Sequence, residues 1–127
     1  MASAIQAILG IEKEMARDFN AGKIDQLLEH FHPRVVGFSS TTQERITGRA
    51  AMRRTFHYYL HATSRMKFHI AQPQVQILGD NAIATFYWRV ELGAARLRHI
   101  IRGRGTHVFA RQGGKWRIVH EHFSRAH

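Results

Sequence analysis

The stretch Thr106-His-Val-Phe-Ala-Arg-Gln-Gly-Gly-Lys-Trp-Arg-Ile-Val-His-Glu-His-Phe-Ser124 joins two runs of aromatic and β-branched residues through a glycine pair. Runs of this composition on either side of a Gly-Gly turn are typical of an antiparallel β-hairpin. The register of the hairpin decides which side chains share a face, because a shift of one residue moves every side chain of a strand to the other face. Any site on this sheet therefore depends on how the turn forms.

The turn is compatible with two registers. A type I turn that ends in a left-handed glycine places His107 on the same face as Glu121 and Phe123. A two-residue turn made by the glycine pair alone places His107 on the same face as His120 and His122 instead.

Upstream of the hairpin, the period of the apolar residues predicts the remaining elements. Apolar residues three and four positions apart predict three helices, over residues 4–20, 23–31 and 49–62. Alternating apolar residues predict a short strand around residues 35–38 and longer ones over residues 67–78, 81–92, 98–111 and 115–124. Helices first and an antiparallel meander last predict an α+β fold, with the helices packed on one face of a curved sheet.

Length and composition limit the possible classes of protein. The chain has 127 residues, 44% of them hydrophobic, which is enough for one core and predicts a single domain over residues 1–127. The absence of cysteine excludes disulfides, thiolate nucleophiles and Cys-type zinc sites. Apolar runs such as Ala82–Trp88 are too short to span a bilayer, and the start Met-Ala-Ser-Ala-Ile-Gln lacks the basic region of a signal peptide. We therefore expect a soluble cytoplasmic protein with no membrane partner.

A formal charge of +10 raises nucleic acid, an anionic membrane or an acidic small molecule as possible partners. The basic strand 96–104 carries four arginines at alternate positions on one face, namely Arg96, Arg98, Arg102 and Arg104. Such a row could contact phosphates, but the chain lacks a helix-turn-helix pattern and the paired aromatics of a sheet-type RNA reader. Nucleic-acid binding is therefore an alternative to a solvated or dimer-edge face. The run Gly103-Arg-Gly105 predicts a bend or bulge in this strand.

The quoted stretch also resembles known families. Its Gly-Lys-Trp turn, the Ile-Val-His that follows and the His-x-Ser ending at Ser124 resemble the SnoaL-like and DUF4440-type families of the nuclear transport factor 2-like (NTF2-like) superfamily. The runs Leu78–Arg89 and Thr47-Gly48-Arg49 are similar to the association (hub) domain of calcium/calmodulin-dependent protein kinase II (CaMKII). This resemblance implies a cone-shaped domain with three N-terminal helices on the concave face of the sheet and a pocket between them. It also implies a homodimer, in a superfamily that includes isomerases, cyclases, dehydratases and non-enzymatic binders.

The resemblance favours the register that places His107 and Glu121 on the same face. The pocket arginines of hub domains match the positions of Arg89, His107 and Phe123, which would then share one face. Of these three positions, only Arg89 is an arginine in this chain. A hub pocket histidine matches Met52. We therefore predict a site in which Arg89 clamps a carboxylate or enolate, His107 moves a proton near neutral pH, and Glu121 is the base or orients the imidazole. The predicted substrate-binding walls are Tyr87, Phe109, Phe123, Tyr59, Phe56 and Met52.

Two other interpretations of these residues stay open. Arg89 and Glu121 could form a buried cross-strand ion pair with a purely structural role. His120-x-His122 has a spacing compatible with zinc if His99 or His107 supplied a third ligand, but the pair belongs to the ending of the similar families, and we expect no metal.

The leading functional hypothesis is an isomerase, cyclase or dehydratase that uses proton transfer, with no metal or organic cofactor, on a small, partly apolar and anionic molecule. The alternative is a non-catalytic ligand-binding or assembly module.

Overall fold

The predicted order of helices and strands is present in a computed structural model that describes residues 2–62, 65–93 and 98–126. The helices are α1 (Ala2–Asn20), α2 (Ile24–Leu28) and α3 (Arg49–Ala62). The strands are β1 (Phe31–Phe38), β2 (Ile46–Thr47), β3 (Met66–Leu78), β4 (Asn81–Leu92), β5 (His99–Gln112) and β6 (Lys115–Arg125). The predicted α+β class is thereby confirmed.

The six strands form one curved, unclosed sheet in the order β2-β1-β6-β5-β4-β3. Every neighbouring pair is antiparallel, as predicted, except β1 and β6, which run parallel. This parallel pair is possible because α3 and the whole meander lie between the two strands in sequence. The edge strand β2 was not predicted, since a run of two residues has no detectable period.

The boundary between α2 and β1 differs from the prediction. Helix α2 ends at Leu28, and β1 begins at Phe31, four residues before the predicted start at about residue 35. The chain joins the sheet this early because the backbone N–H of Ile118 donates a hydrogen bond of 2.8 Å to the carbonyl of His30. Pro33 is tolerated within the strand because the β1–β6 ladder is interrupted just after Phe31, where no ladder hydrogen bond requires its missing N–H.

The hairpin of β5 and β6 turns at Gly113 and Gly114, whose φ angles are +58° and +78°. The residues that flank the pair face each other, so the turn is the two-residue alternative. Glycine adopts these left-handed angles without the steric penalty of a Cβ. If the strands continued in this phase, His107 would face His120.

A β-bulge in β6 changes the phase. The register shifts by one residue between Val108 and Phe109, which leaves Val119 without a partner of its own on β5. Beyond the bulge, His107 faces Glu121. The chain thus combines the two-residue turn of one predicted register with the facing residues of the other.

The hydrophobic core lies between the helices and the sheet. Ile8 of α1, Val35 of β1 and Met52 of α3 have no measurable exposure. Helix α1 lies along β3, where the side-chain amide of Asn20 exchanges two hydrogen bonds of 2.8 Å with the backbone of Phe68. This two-point contact fixes the C-terminal end of α1 against the sheet.

The glycines of Gly103-Arg-Gly105 have a different role from the one predicted. The β4–β5 register is continuous past both of them, so the described strand has no bulge there. A Cβ on Gly103 would overlap the ring of Trp88, and a Cβ on Gly105 would overlap the ring of Phe86. These glycines therefore leave room for two aromatic rings that lie over the strand.

Candidate functional site

A cavity of about 440 Å³ lies between the helices and the sheet. Its volume is within the range of small-molecule pockets. The buried polar groups that line it are His107 and Glu121, whereas Tyr58 and Arg125 are exposed and mark its opening. Much of the remaining wall consists of aromatic rings, namely Phe19, Phe31, Phe56, Tyr59, Phe68, Trp88 and Phe123.

His107 links two carboxylates at the inner end of the cavity. Its Nδ1 donates a hydrogen bond of 2.7 Å to Oε2 of Glu12, and its Nε2 donates one of 2.7 Å to Oε1 of Glu121. The side chains of Glu12 and His107 are each 2% exposed, and that of Glu121 is 9% exposed. We call these three residues the carboxylate–imidazole array.

The array holds His107 in its charged form. Burial alone would lower the pKa of His107, but the charge of Glu12, the hydrogen bonds to both carboxylates and the charge of Glu121 raise it to about 10. An imidazolium is also the form that can donate from both ring nitrogens at once. The raised pKa argues against the prediction that His107 moves a proton near neutral pH, because the ring then keeps both protons there.

The array carries an electrostatic cost within the fold. The array places two carboxylates and one imidazolium in a largely apolar interior. In addition, Oε1 of Glu12 is buried without a hydrogen-bond partner among the described residues. Buried charges and unpaired polar atoms lower the free energy of unfolding relative to an apolar core of the same shape.

Only one end of the array faces open space. Glu121 and His107 line the cavity, whereas Glu12 approaches His107 from α1 and does not line it. Four phenylalanine rings surround the imidazole with centroid distances of 5.2–6.3 Å, namely Phe31, Phe86, Phe109 and Phe123. A molecule in the cavity can therefore meet the carboxylate of Glu121, whereas the imidazole borders the cavity but is only 2% exposed.

Several predicted wall residues do line the cavity, namely Phe56, Tyr59 and Phe123. The Tyr59 hydroxyl also lies 3.1 Å from the Thr41 hydroxyl, within a loop that borders the opening. Phe109 contacts the His107 ring but belongs to the core, as does Met52, and neither lines the cavity.

Arg89 and Tyr87 lie on the opposite face of the sheet, so their predicted place in the pocket is wrong. Ala84 of β4 faces His107 across the ladder, so both side chains point toward the cavity. Because successive side chains of a strand alternate between the two faces, Trp88 also points toward the cavity, and the odd-numbered residues of β4 point away from it. The Arg89 guanidinium is 45% exposed and lies 3.7 Å from Glu91. The alternative of a buried pair between Arg89 and Glu121 is excluded for the same reason.

Glu12 was not predicted as a site residue. It lies four positions after Ile8 and three before Met15, within the apolar stripe of α1, and a carboxylate at such a position is the signal that was available. Its partner His107 is 95 positions away, a separation that helical periodicity cannot bridge. Arg125 at the opening was also missed.

The remaining histidine and arginine predictions concern the outer face. His120 and His122 pack around Phe38, away from the cavity, and the described residues contain no group of three side chains placed to share a metal ion. Arg102 and Arg104 are exposed, and Arg98 pairs with Glu91 at 3.1 Å. Arg96 of the basic strand, and Ala94 and Ala95 of the turn before it, lie outside the described residues.

No helix in the described ranges has the length and apolar character needed to cross a membrane.

Residues 8–127 match the family model of the SnoaL-like domain. No curated protein matches the chain at a significant level. The chain is similar in structure to an NTF2-like protein of unknown function from Pseudomonas putida KT2440, with a TM-score of 0.89 and 24% identity over 98% of this chain and 87% of that one.

Two further solved structures share the fold. A candidate dehydratase of the NTF2-like family from Streptomyces avermitilis has a TM-score of 0.86 and 16% identity, over 99% of this chain and 98% of that one. The CaMKII hub of S. rosetta has a TM-score of 0.79 and 25% identity over 96% of each chain. The resemblance to the SnoaL-like family, suggested by the glycine turn and the His-x-Ser ending, is thereby confirmed.

Proposed function

Since the chain belongs to the SnoaL-like domain family, we propose that it binds a small, largely apolar molecule in the cavity and removes a proton from that molecule with Glu121. The observation that carries this proposal is the carboxylate–imidazole array, whose open end faces a cavity of about 440 Å³.

The cost of the array supports a functional role. A buried ion pair can often be replaced by apolar residues of similar volume with no loss of stability. Here the unpaired Oε1 of Glu12 adds to that cost. Perturbed titratable groups that border a cavity are frequent at functional sites.

Each member of the array has a distinct part in the proposed chemistry. Glu121 is the catalytic residue, because it can contact the substrate and its carboxylate can accept a proton. His107 is a positioning residue, because its Nε2 holds the Glu121 carboxylate by a hydrogen bond of 2.7 Å. Glu12 contacts Nδ1, the ring nitrogen that does not face Glu121, and its charge and hydrogen bond keep His107 protonated.

This arrangement suits proton abstraction beside a carbonyl group. The proton moves from carbon to Glu121, and the electron pair of the C–H bond is delocalised into the carbonyl to give an enolate. Return of the proton to another atom of the substrate gives an isomerase. Departure of a hydroxyl group with the same proton, as water, gives a dehydratase. Neither step requires an oxidant, a reductant or a metal.

Deuterium incorporation gives a direct test. The purified protein would be incubated in D₂O with a panel of aryl ketones and cyclic enones, and exchange would be measured by mass spectrometry. We expect Glu121→Gln to reduce exchange of a responsive compound by about 100-fold or more, and Glu91→Gln, on the opposite face, to leave it unchanged. Bound compounds that exchange no faster than in buffer would instead support a non-catalytic binding protein.

We propose in addition that two copies associate through the face of the sheet opposite the cavity. Tyr87 is 55% exposed and Ile100 is 37% exposed on that face, and exposed apolar side chains of this kind are typical of protein contacts. The similarity to a CaMKII hub supports this assembly role.

Light scattering of the wild type and of Tyr87→Glu tests it: the wild type should have twice the mass of the chain, and the variant the mass of one copy. A wild type with the mass of one chain contradicts the proposal.

A further inference from the structure

The cavity has an acidic inner end and a basic opening, both on strand β6. Glu121, Phe123 and Arg125 occupy alternate positions, and all three line the cavity. The bulge at Val119 lies before them, so the strand is regular from Glu121 onward. At about 3.3 Å per residue, the backbone positions of Glu121 and Arg125 are about 13 Å apart.

The strand between these two charges is apolar. The ring of Phe123 packs against Phe86 and Trp88, with centroid distances of 5.6 and 5.9 Å. The indole N–H of Trp88 already donates to the carbonyl of Arg104, so this aromatic floor has no free hydrogen-bonding group to offer a ligand. A ligand that spans the cavity therefore needs an apolar middle section.

The two ends select opposite chemical groups. At the inner end, the carboxylate of Glu121 can accept a hydrogen bond from a hydroxyl of the ligand, whereas a second carboxylate placed there would be repelled. At the opening, Arg125 is the one Lys or Arg side chain among the described lining residues. A carboxylate on the ligand therefore belongs at the opening, beside Arg125.

The end of β6 is built in a way that keeps Arg125 in place. Its partner across the ladder is Gly103, which has no side chain and is covered by the Trp88 ring. The backbone N–H of Ala126 donates a hydrogen bond of 2.9 Å to the carbonyl of Arg102, so the strand is still paired one residue beyond Arg125. The guanidinium is thus carried by an ordered strand beside an aromatic wall.

On the basis of the proposed function, we infer that the ligand is an elongated hydroxy acid with an apolar, flat middle section, and that Arg125 selects its carboxylate. The hydroxyl end lies against Glu121 and the carboxylate lies about 13 Å away at the opening. An exposed ion pair is worth little, so the selection should amount to about a two- to fivefold preference in affinity and should weaken with added salt.

The test uses two biphenyls that carry a phenol at one end and differ at the other, where one has a carboxylic acid and the other a carboxamide. Their affinities would be measured by calorimetry for the wild type, for Arg125→Gln and for Arg104→Gln, whose arginine is exposed on the opposite face. We expect the wild type and Arg104→Gln to prefer the acid. Arg125→Gln should bind the two compounds equally while keeping its affinity for the amide.

Each other result has a defined meaning. If the wild type binds the amide but gains nothing from the acid, the inference about Arg125 is overturned and the cavity function stands. Equal loss of the preference in Arg104→Gln also overturns it, because the effect would then come from net charge alone. If neither biphenyl binds, the inferred ligand shape is wrong, and the proposed cavity function is decided separately by the deuterium-exchange panel.

Discussion

His107 and Glu121 face each other across the β5–β6 ladder, with Nε2 of the imidazole 2.7 Å from Oε1 of the carboxylate. The pair is local, with 14 positions between its members, but its charge state is set from a distance. Glu12 on α1, 95 positions from His107, supplies the larger share of the effect that keeps the imidazole protonated. Docking of the first helix on the sheet therefore completes the array.

The first prediction concerns the protonation of His107. Because its pKa is raised to about 10, its ring should stay doubly protonated from about pH 5 to pH 9, unlike an ordinary histidine. The ring nitrogens would be followed by ¹⁵N NMR during a pH titration. A midpoint between about pH 6 and pH 7 for this ring would contradict the array as described.

The second prediction concerns stability against pH. A histidine whose pKa is higher in the folded state than in the unfolded state stabilises the fold fully below its unfolded pKa of about 6.5. That contribution should be lost as the pH rises toward about 10, and it is on the order of a few kcal/mol. Urea unfolding across this window would measure it. The double variant Glu12→Gln, Glu121→Gln is the control, because without the two carboxylates the free energy of unfolding should decline much less with rising pH. An equal decline in this variant would show that other titratable groups cause it.

The third prediction separates hydrogen bonding from charge at Glu12. Glu12→Gln retains an oxygen that can accept from Nδ1 of His107, whereas Glu12→Leu leaves a buried ring nitrogen without a partner. The leucine variant should therefore be less stable than the glutamine variant by about 1–3 kcal/mol. Chemical denaturation at neutral pH measures the difference. Equal stability would mean that the imidazole finds another partner or water.

The fourth prediction concerns the glycines under the aromatic rings. Gly103→Ala and Gly105→Ala should each lower the free energy of unfolding by about 1–3 kcal/mol, because the added Cβ overlaps Trp88 or Phe86. Gly10→Ala in α1 is the matched control: a Cβ there has open space around it, and the helix should gain up to about 1 kcal/mol. Thermal unfolding of the three variants measures the effect. Variants at Gly103 and Gly105 as stable as the control would show that the rings move aside without cost.

Much of the fold could be predicted from periodicity, because α1, α3 and the four long strands each contain several repeats of one pattern. The α2–β1 junction could not, since the residues around Phe31 have the spacing of a helix face but are held by a hydrogen bond from β6. A contact with a strand more than 80 positions later has no local signal. Tertiary pairing decided that boundary.

The site was predictable only in part, for reasons of phase and distance. His107 and Glu121 were correctly assigned to one face, but not for the predicted reason. The chain forms the two-residue turn, which alone would place His107 opposite His120, and the bulge then shifts the register by one residue so that His107 faces Glu121. Arg89 was assigned by resemblance, and the alternation of β4 places it on the other face. Glu12 depends on how a helix packs over a sheet, which a single sequence does not encode in any short pattern.

The bulge at Val119 also has a consequence for how the chain tolerates changes in length. Val119 is the one residue of β6 in excess over the facing stretch of β5, and it lies between the turn and the array. Loss of a residue from the hairpin tip can be absorbed by flattening the bulge, which leaves His107 opposite Glu121. The hairpin thus holds a spare residue that keeps the buried carboxylate opposite His107 after a single deletion at the tip. The cost of such a deletion falls on the residues between the turn and the bulge, which would exchange faces and take Ile118 out of the core.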